Sequence, residues 1–307
     1  MEEKQKYTVS QHFVPQVLLR GFSTTYSVGE KTAKSRKYMV WRYDTIIDEQ
    51  KQVPTSSICV EDNIYEYTGK QGEFVLRNAL EKILGKIESK FHERRNQLES
   101  KAFQESNYNT NCFLDKDEKD FWVLFITLQV LRDPEVIELA SELYREICDS
   151  SLSEKQARNV ALNYCVPFLN AENENIAETK LLVEMAAPMR AMNFHVLVDK
   201  SGGFISARRG IHIEARTMPE RYADYELIVF PITAYLCMVL SKKKEGRYMN
   251  RLVEADEMCK EDVLYWLSRK NTELFSNHRF SKAEIAVIRG DRIPTMRWKK
   301  GVRDDKN

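Results

Sequence analysis

The sequence lacks the short motifs that identify many common enzymes. It contains no Gly-x-x-x-x-Gly-Lys-[Ser/Thr] phosphate-binding loop, no Gly-x-Gly-x-x-Gly dinucleotide fingerprint, no His-Glu-x-x-His zinc motif and no Gly-x-Ser-x-Gly nucleophile elbow. Its five histidines show no spacing typical of metal ligands. These absences argue against nucleotide-driven motors, dinucleotide oxidoreductases and dedicated zinc enzymes.

No sign of charge dominates, and long apolar runs and paired cysteines are missing too. Lys and Arg number 47 against 46 Asp and Glu, for a net charge of +1, so nothing in the global charge attracts nucleic acid or an anionic membrane. None of the six cysteines stands in a Cys-x-x-Cys pair, which is typical of reduced thiols in a cytosolic protein. No apolar run approaches the roughly 20 residues of a membrane helix, and none follows the N-terminus as a signal peptide would. We therefore predict a cytoplasmic protein without a membrane partner.

What is present fits a sizeable folded protein. Of 307 residues, 43% are hydrophobic, which is enough for a large core, and 30% are charged, which suits many exposed helix faces. We predict the α+β class and one continuous domain over 1–307: a mostly helical bundle over about 74–191 and an antiparallel sheet over about 193–280. The C-terminal half builds most of that sheet, and a basic tail, 289–307, follows it.

Apolar periodicity and turn residues predict the individual elements. Several of these predictions are specific enough to be tested by the structure. They are a helix over 74–99, a helix capped by Asp115 or Asp117 that restarts at Pro134, helices over 153–165, 174–191 and 254–275, a hairpin of strand 193–199 with Phe204–Ala207, and two strands, 225–230 and 233–240, separated by Pro231.

The stretch from Gln11 to Phe22 carries the first candidate site residues. Pro15 suits the first turn of a helix, because its missing N–H would lack a partner there in any case. His12 precedes that helix, and Arg20 lies about two helical turns further on, where it could point to the same side. Two interpretations stay open: a polar pair at the mouth of a cleft, or a capping histidine and a solvated arginine on a packing helix.

Glu81 and Glu88 form a second candidate pair. They are seven residues apart on a helix and therefore share one face, beside the apolar stripe. Paired carboxylates at such an edge suit metal binding or acid–base chemistry. The alternative is that both are solvated, or that they pair with lysines such as Lys82 and Lys86.

Gln129 and Arg132 are polar residues in a helix that is otherwise apolar almost all round. They are three residues apart and share one face. A buried guanidinium is costly unless it is paired, and Glu81 or Glu88 would be a sensible partner. The pair is either structural or part of an anion-binding site.

Several of these stretches also resemble a known family. His12-Phe13-Val14-Pro15 followed by Leu19-Arg20-Gly21-Phe22 resembles the opening pattern of the bacterial domain-of-unknown-function family four-two-three-eight, H-[FY]-V-P-x-x-x-L-[RK]-x-F. The order of further pieces is similar to that family over roughly residues 10–280, and the resemblance implies membership of its fold but no activity. Those pieces are the strand-like Tyr38–Asp44, the helix with Glu81 and Glu88, the stretch Phe125–Pro134 that is similar to F-I-x-x-Q-x-x-R-T-P, and Phe230-Pro231-Ile232.

One stretch departs from the family pattern. Where the family has Phe-x-Thr-Ser-Asp-x-Pro, this chain reads Phe204-Ile205-Ser206-Ala207-Arg208-Arg209-Gly210. Ala207 replaces the acidic residue, so any chemistry that the aspartate performs in relatives is missing here.

Two functions fit these observations. The first is an enzyme acting on nucleic acid or a nucleotide, nuclease-like, in a defence setting such as phage defence or as a toxin-type effector; that setting rests on the kind of family alone. Histidine would serve as base or acid, arginines would hold a phosphate, and Glu81 and Glu88 would bind Mg²⁺. The second is a non-catalytic binding or regulatory module that engages a protein through the charged loops 24–37 and 242–250 or the basic tail. The predicted catalytic residues are His12, Arg20, Glu81, Glu88, Gln129 and Arg132.

Overall fold

The structure is a computed structural model that describes residues 7–28, 37–105, 112–169, 175–218, 221–242 and 249–294. Within these ranges the fold is α+β, as predicted. The helices are α1 (Gln16–Leu19), α2 (Ala79–Gln104), α3 (Lys116–Leu131), α4 (Pro134–Ile147), α5 (Glu154–Cys165), α6 (Lys180–Arg190), α7 (Glu257–Ser268) and α8 (Lys282–Arg289). In the same ranges no helix combines the length and the apolar character needed to cross a membrane.

The strands belong to two larger sheets and three short pairs. In chain order they are β1 (Ser10–His12), β2 (Met39–Asp44), β3 (Glu49–Pro54), β4 (Val60–Asp62), β5 (Tyr67–Thr68), β6 (Phe74–Val75), β7 (Phe168–Leu169), β8 (Ile176–Ala177), β9 (Asn193–Val198), β10 (Ser206–Ala207), β11 (His212–Met218), β12 (Arg221–Thr233), β13 (Leu236–Ser241), β14 (Asn250–Glu254) and β15 (Glu273–Ser276).

A sheet of five strands from the C-terminal half forms the middle layer. Its order is β11-β12-β13-β9-β14, and all neighbours are antiparallel except the parallel pair β9–β14. Alternate residues of its inner strands belong to two different apolar clusters: Phe194 and Val196 to the larger, Leu197 to the smaller. Both faces of the sheet are therefore covered, which explains why these strands are apolar without alternation.

The larger apolar cluster joins this sheet to the helices. Phe91 of α2 stacks on Phe125 of α3 with ring centroids 4.5 Å apart, and Phe125 in turn contacts Phe230 of β12 at 6.0 Å. The smaller cluster lies on the opposite face, among α7, α8 and a four-stranded sheet of order β10-β15-β2-β3. The core thus combines residues from the helical and the sheet-rich parts.

Sequence patterns correctly predicted the start of α3 and of α4. Asp115 caps α3 through a capping box with Glu118, and Pro134 occupies the first turn of α4. The Asp115 side chain accepts a hydrogen bond from an N–H group that would otherwise be unpaired at the helix start, and Pro134 has no N–H group to leave unpaired.

The predicted helix over 74–99 is wrong at its beginning. Phe74–Val75 pairs with Tyr67–Thr68 instead, and α2 begins at Ala79 and runs on to Gln104. Leu76 and Asn78 have φ of 51° and 58°, in the left-handed region, so a right-handed helix cannot pass through them.

Two further helices are shorter than predicted because their ends pair as strands. The predicted helix 174–191 begins only at Lys180, since Ile176–Ala177 pairs with β7. The predicted helix 254–275 spans Glu257–Ser268 alone, and its last predicted residues become β15 in the middle of the four-stranded sheet. Strand pairing overrides helical propensity at these positions, with a nearby partner for Ile176–Ala177 and a distant one for β15.

The predicted hairpin after β9 is also wrong. Both edges of β9 are occupied, by β13 and β14, and Ser206–Ala207 pairs with β15 in the other sheet. The Asp199 carboxylate accepts hydrogen bonds from the Ser201 and Gly203 N–H groups, which turns the chain away from β9.

Pro231 does not separate two strands as predicted, since β12 continues through it to Thr233. Beyond Val229, β12 is paired on one side only, with β13, so the missing N–H of Pro231 costs no ladder bond on the open side.

Candidate functional site

The segment Ser10–Phe22 lies against α2 and α3 and contains only short elements: β1, α1 and a single 3₁₀ turn. Such short elements leave backbone carbonyls without partners inside the segment, and buried carbonyls need partners. Three buried side chains donate to them. The bonds run from Arg132 Nη2 to the His12 carbonyl (2.5 Å), from Gln129 Nε2 to the Phe13 carbonyl (3.0 Å) and from Arg95 Nη1 to the Val17 carbonyl (3.0 Å).

Arg132 is buried at the end of α3 and joins the predicted site residues. Its Nη1 donates to Glu88 Oε1 at 3.1 Å, and its Nε donates to the Tyr65 hydroxyl at 3.2 Å. Only 2% of its side chain is exposed, against 26% for Glu88. Of the two glutamates expected as partners, Glu88 makes the ion pair.

Gln129 is also buried, with 2% of its surface exposed. Its amide donates to the Phe13 carbonyl and, at 3.3 Å, to the Arg209 carbonyl. It therefore ties the opening segment to the turn after β10. In this arrangement Gln129 positions backbone and faces no solvent.

His12 and Arg20 are connected through Gln16, which the sequence analysis did not single out. The Gln16 oxygen accepts from Arg20 Nη2 at 2.8 Å, so its amide NH₂ group faces His12 Nε2 at 3.2 Å. His12 Nε2 must then accept, which places the lone pair of the imidazole on this side. His12 ends β1 and caps no helix, and Pro15 occupies the cap position of α1.

The environment of His12 keeps its imidazole neutral. The pKa of His12 is lowered to about 4, first by burial and then by the charges of Arg132 and Arg20, against backbone hydrogen bonds to Thr55 and Ser56 that raise it. At neutral pH the ring is therefore uncharged, and the lone pair on Nε2 faces the Gln16 amide.

Arg20 has unused hydrogen-bonding capacity. Its Nε is buried without a hydrogen-bond partner, and among the described residues its guanidinium forms no ion pair. The group lies over the Tyr38 ring, 5.2 Å from the centroid. The charge of this half-buried guanidinium suits an anion, which would meet its terminal nitrogens because the Nε is buried.

Glu81 lies beside Glu88 on α2 and is less well satisfied. Its Oε2 is buried without a hydrogen-bond partner in the structure. Burial raises the pKa of Glu81, and the charge of Glu88 raises it further, while Arg132 lowers it. The two carboxylates thus share one environment in which Arg132 is the main counter-charge.

The predicted metal ligands are these two carboxylates alone. Within the described ranges no group of three or more His, Cys, Asp or Glu side chains is arranged to hold a metal ion. Glu81 and Glu88 could still contribute to a Mg²⁺ site, because Mg²⁺ is often held by one or two carboxylates together with waters and substrate phosphates.

His92 and Arg95 belong to the same region and were missed. His92 Nδ1 accepts from Arg95 Nη2 at 2.8 Å, so the ring proton lies on Nε2. Burial lowers the pKa of His92, as do the charges of Arg95 and Arg20. The sequence could have indicated His92 and Arg95, because positions 81, 88, 92 and 95 share one face of α2.

A Ser-His-Glu arrangement elsewhere has the distances of a catalytic triad but not its accessibility. Ser276 Oγ lies 2.8 Å from His278 Nδ1, and His278 Nε2 lies 2.8 Å from Glu284 Oε1. Ser276 is fully buried, so no substrate reaches its hydroxyl, and Glu284 also completes the capping box of α8. His278 and Glu284 line a cavity of about 280 Å³, but their contacts are those of a loop and a helix cap.

The family's missing aspartate corresponds to a buried position. Ala207 is fully buried in the smaller apolar cluster, where a lone carboxylate would be costly. The arginines that follow it form surface ion pairs: Arg208 with Glu61 and Glu273, and Arg209 with Asp133 and Glu135. In this chain the stretch serves packing and surface charge pairing.

The regions predicted to engage a partner lie largely outside the described residues. This applies to 29–36 of the first charged loop, 243–248 of the second and 295–307 of the basic tail.

The fold and site together define a class: an α+β protein whose opening His-Phe-Val-Pro segment is fixed by buried polar side chains. Its His12 and Arg20 are joined through Gln16, and Arg132 links the segment to Glu88. A family model described as a protein of unknown function, DUF4238, matches residues 10–282. The chain belongs to this family, which confirms the resemblance noted in the sequence. No curated protein and no solved structure matches it at a significant level.

Proposed function

We propose that this protein is an enzyme that cleaves phosphodiester bonds in nucleic acid or nucleotides. The supporting observation is the pairing of a neutral imidazole with a guanidinium that has no ion-pair partner among the described residues, both joined by Gln16 on a segment whose backbone is held by buried side chains. Such fixed geometry is what general-base chemistry on a bound anion requires.

Arg20 would bind a non-bridging phosphate oxygen. A phosphate would give the charge of Arg20 a partner, which the described residues do not supply. Binding of the dianionic or monoanionic group would also oppose the effect of Arg20 on His12, so the pKa of His12 would rise as substrate binds.

His12 would act as the general base. Its Nε2 takes a proton from water once the Gln16 amide releases it, the water oxygen forms a bond to phosphorus, and the bond from phosphorus to the leaving oxygen breaks. The leaving oxygen takes a proton from solvent, and His12 later returns its own.

Glu81 and Glu88 would hold Mg²⁺ against the same phosphate. Burial first, and then the charge of Glu88, raise the pKa of the Glu81 carboxyl, whose Oε2 is buried without a hydrogen-bond partner, and a bound cation would stabilise the charged form of both carboxylates. When bound, Mg²⁺ would neutralise charge on the phosphate. Arg132 and Gln129 would act as positioning residues through the backbone of His12 and Phe13.

The test is a cleavage assay on labelled single-stranded RNA, single-stranded DNA, duplex DNA and nucleoside triphosphates, with Mg²⁺ or with EDTA. We expect Mg²⁺-dependent turnover of at least one substrate. Replacing His12 with alanine should lower kcat by about 10²–10⁴-fold, the usual size of a general-base contribution. Arg20→Ala should mainly raise KM, and Arg20→Lys should restore part of the loss.

His278→Ala is the matched control, because His278 is a partly exposed histidine far from Arg20 in the chain and outside this site. It should leave turnover unchanged. The proposal is wrong if no substrate is cleaved, or if His12→Ala, folded by circular dichroism, cleaves as fast as the wild-type protein. His12→Gln provides a second folded variant that keeps a hydrogen-bonding side chain.

A further inference from the structure

The peripheral helix α4 exposes a row of large apolar side chains. The exposed fractions are 54% for Leu139, 44% for Leu143 and 77% for Ile147. Their spacing of four residues places them in one row along the helix. The helix turns a different face to the protein, where Ile137 and Ser141 are buried. A continuous apolar row of this kind on a surface helix typically marks an interaction site.

An acidic row runs beside it. Glu138, Glu142 and Glu146 are all exposed, and each immediately precedes one residue of the apolar row. Neighbouring residues are rotated by about 100° on a helix, so the glutamates form one flank of the apolar row. The chain as a whole is nearly neutral, with a net charge of +1, and the acidic flank is therefore a local feature.

The other flank of the row is formed within the protein. α4 packs against α5 there, with the rings of Tyr144 and Tyr164 in contact at 6.2 Å between centroids. The surface thus consists of an apolar row with α5 along one flank and exposed glutamates along the other. We propose that this row, Leu139, Leu143 and Ile147 with its glutamate flank, docks an amphipathic α-helix of a partner protein whose apolar face is bordered by Lys or Arg.

Two features support a helix of this charge. An apolar row repeated every three to four residues packs best against another helix, whose side chains fill the spaces between its own. Basic residues on the partner would meet the glutamates across the edge of the contact, which favours association and selects against acidic helices.

A second copy of this chain is a poorer occupant. In a two-fold antiparallel contact of α4 with itself, equal flanks face each other, so the three glutamates of one copy would meet those of the other. An anionic lipid surface is disfavoured by the same charges.

The experiment uses two synthetic helical peptides with identical apolar positions, one with Lys and one with Glu along the flanks. Binding of each labelled peptide to the full chain is measured by fluorescence anisotropy. We expect the Lys peptide to bind at least tenfold more tightly. Leu143→Asp should weaken its binding about tenfold or more, since a buried leucine is replaced by a charge.

Charge reversal provides the second, independent variant. The double substitution Glu138→Lys with Glu142→Lys should reverse the preference toward the Glu peptide without altering the apolar row. Met258→Asp is the matched control, because Met258 on α7 is similarly exposed, at 45%, and lies outside the surface. It should bind the Lys peptide as the wild type does.

Four outcomes would overturn the proposal. They are equal binding of both peptides, no binding of either, a self-association in analytical ultracentrifugation that Leu143→Asp abolishes, and preferential binding to vesicles of anionic phospholipid. None of these readouts depends on phosphodiester cleavage, so this inference stands or fails separately from the proposed enzymatic function.

Discussion

The polar side chains that surround the opening segment Ser10–Phe22, here called the polar seat, are buried, and so are the inner strands of the central sheet. The two regions are held together by different interactions. Around the opening segment, fully or nearly fully buried residues include Gln11, Glu66, Arg95, Gln129 and Arg132. In the sheet, β13 contributes five consecutive apolar residues, Leu236–Leu240, each with no exposed surface. One region is organised by directed polar contacts and the other by apolar packing.

The difference follows from backbone regularity. A strand in a sheet satisfies its N–H and C=O groups through its neighbours, so its side chains need only fill space. The opening segment has too little regular structure for that, and polar side chains from α2 and α3 must reach its carbonyls. Hydrogen bonds depend on direction and burial does not, so the polar seat fixes His12 and Arg20 in place while the sheet provides most of the apolar core.

The largest effect is expected in the polar seat. Arg132→Met removes one partner of a buried ion pair and leaves the His12 carbonyl without its donor. We expect the free energy of unfolding to fall by about 3–5 kcal/mol, measured by urea denaturation.

Arg190→Met is the matched control for this substitution. Arg190 pairs with Asp120 at 2.8 Å, and both side chains are 36% exposed, so the loss should be about 1 kcal/mol or less. Equal losses for the two arginines would contradict the distinction between a polar seat and surface charge pairing.

A smaller but still large effect is expected in the sheet. Leu240→Ala should lower the free energy of unfolding by about 2–5 kcal/mol, because Leu240 is fully buried in the larger apolar cluster. The volume-conserving Leu240→Met should cost less than about 1.5 kcal/mol.

The conservative exchange in the seat should behave differently. Arg132→Lys keeps the charge but loses the fork that reaches Glu88, Tyr65 and the His12 carbonyl together, so we expect it to recover little of the stability. If Arg132→Lys lowers the free energy of unfolding as little as Leu240→Met does, the polar seat is held by charge and packing alone.

The smallest effect per residue is a dependence on pH, to which one histidine of each region contributes. Burial lowers the pKa of His12 in the seat to about 4 and that of His195 in the sheet to about 3, both from 6.5. Between these values and 6.5 the unfolded chain binds protons that the folded protein does not, so stability is full above 6.5 and is lost as the pH falls toward 4.

The raised pKa of Glu81 opposes part of this loss at the acid end. Each shift corresponds to a loss of about 2 kcal/mol between about pH 7 and about pH 5, so we expect the wild-type protein to lose about 3–4 kcal/mol through the two histidines together. His195→Gln should flatten this dependence in urea denaturation at the two pH values. An unchanged slope in both His195→Gln and His12→Gln would show that neither histidine is held neutral by the fold.

Local signals predicted the helical half better than the sheets. Neighbouring residues indicated the cap at Asp115, the first-turn position of Pro134 and the burial of Gln129 and Arg132 in an apolar helix. They also indicated that Glu81 or Glu88 would pair with Arg132, and the structure shows that the partner is Glu88. Single-domain organisation stays a prediction.

The strand β15 shows why the rest could not be predicted. Its residues continue a helical pattern, yet Glu273–Ser276 pairs with Trp41–Asp44, more than 200 residues earlier in the chain. No local signal encodes such a partner. Gln16 was missed for a related reason: its role depends on where the side chains of His12 and Arg20 point once the segment is seated.

The sequence by itself determined the α+β class, the family, the main helices and the residues from which a site is built, because periodicity, capping and motif spacing are local properties. Only the tertiary structure decided which of those residues meet. It buried Arg132 and Gln129 as supports, left His12 and Arg20 half-buried and joined by Gln16, and placed Glu81 beside Glu88 with an oxygen still unpartnered. The reason is physical: burial and hydrogen-bond partners are set by contacts between segments far apart in the chain, and no single segment contains them.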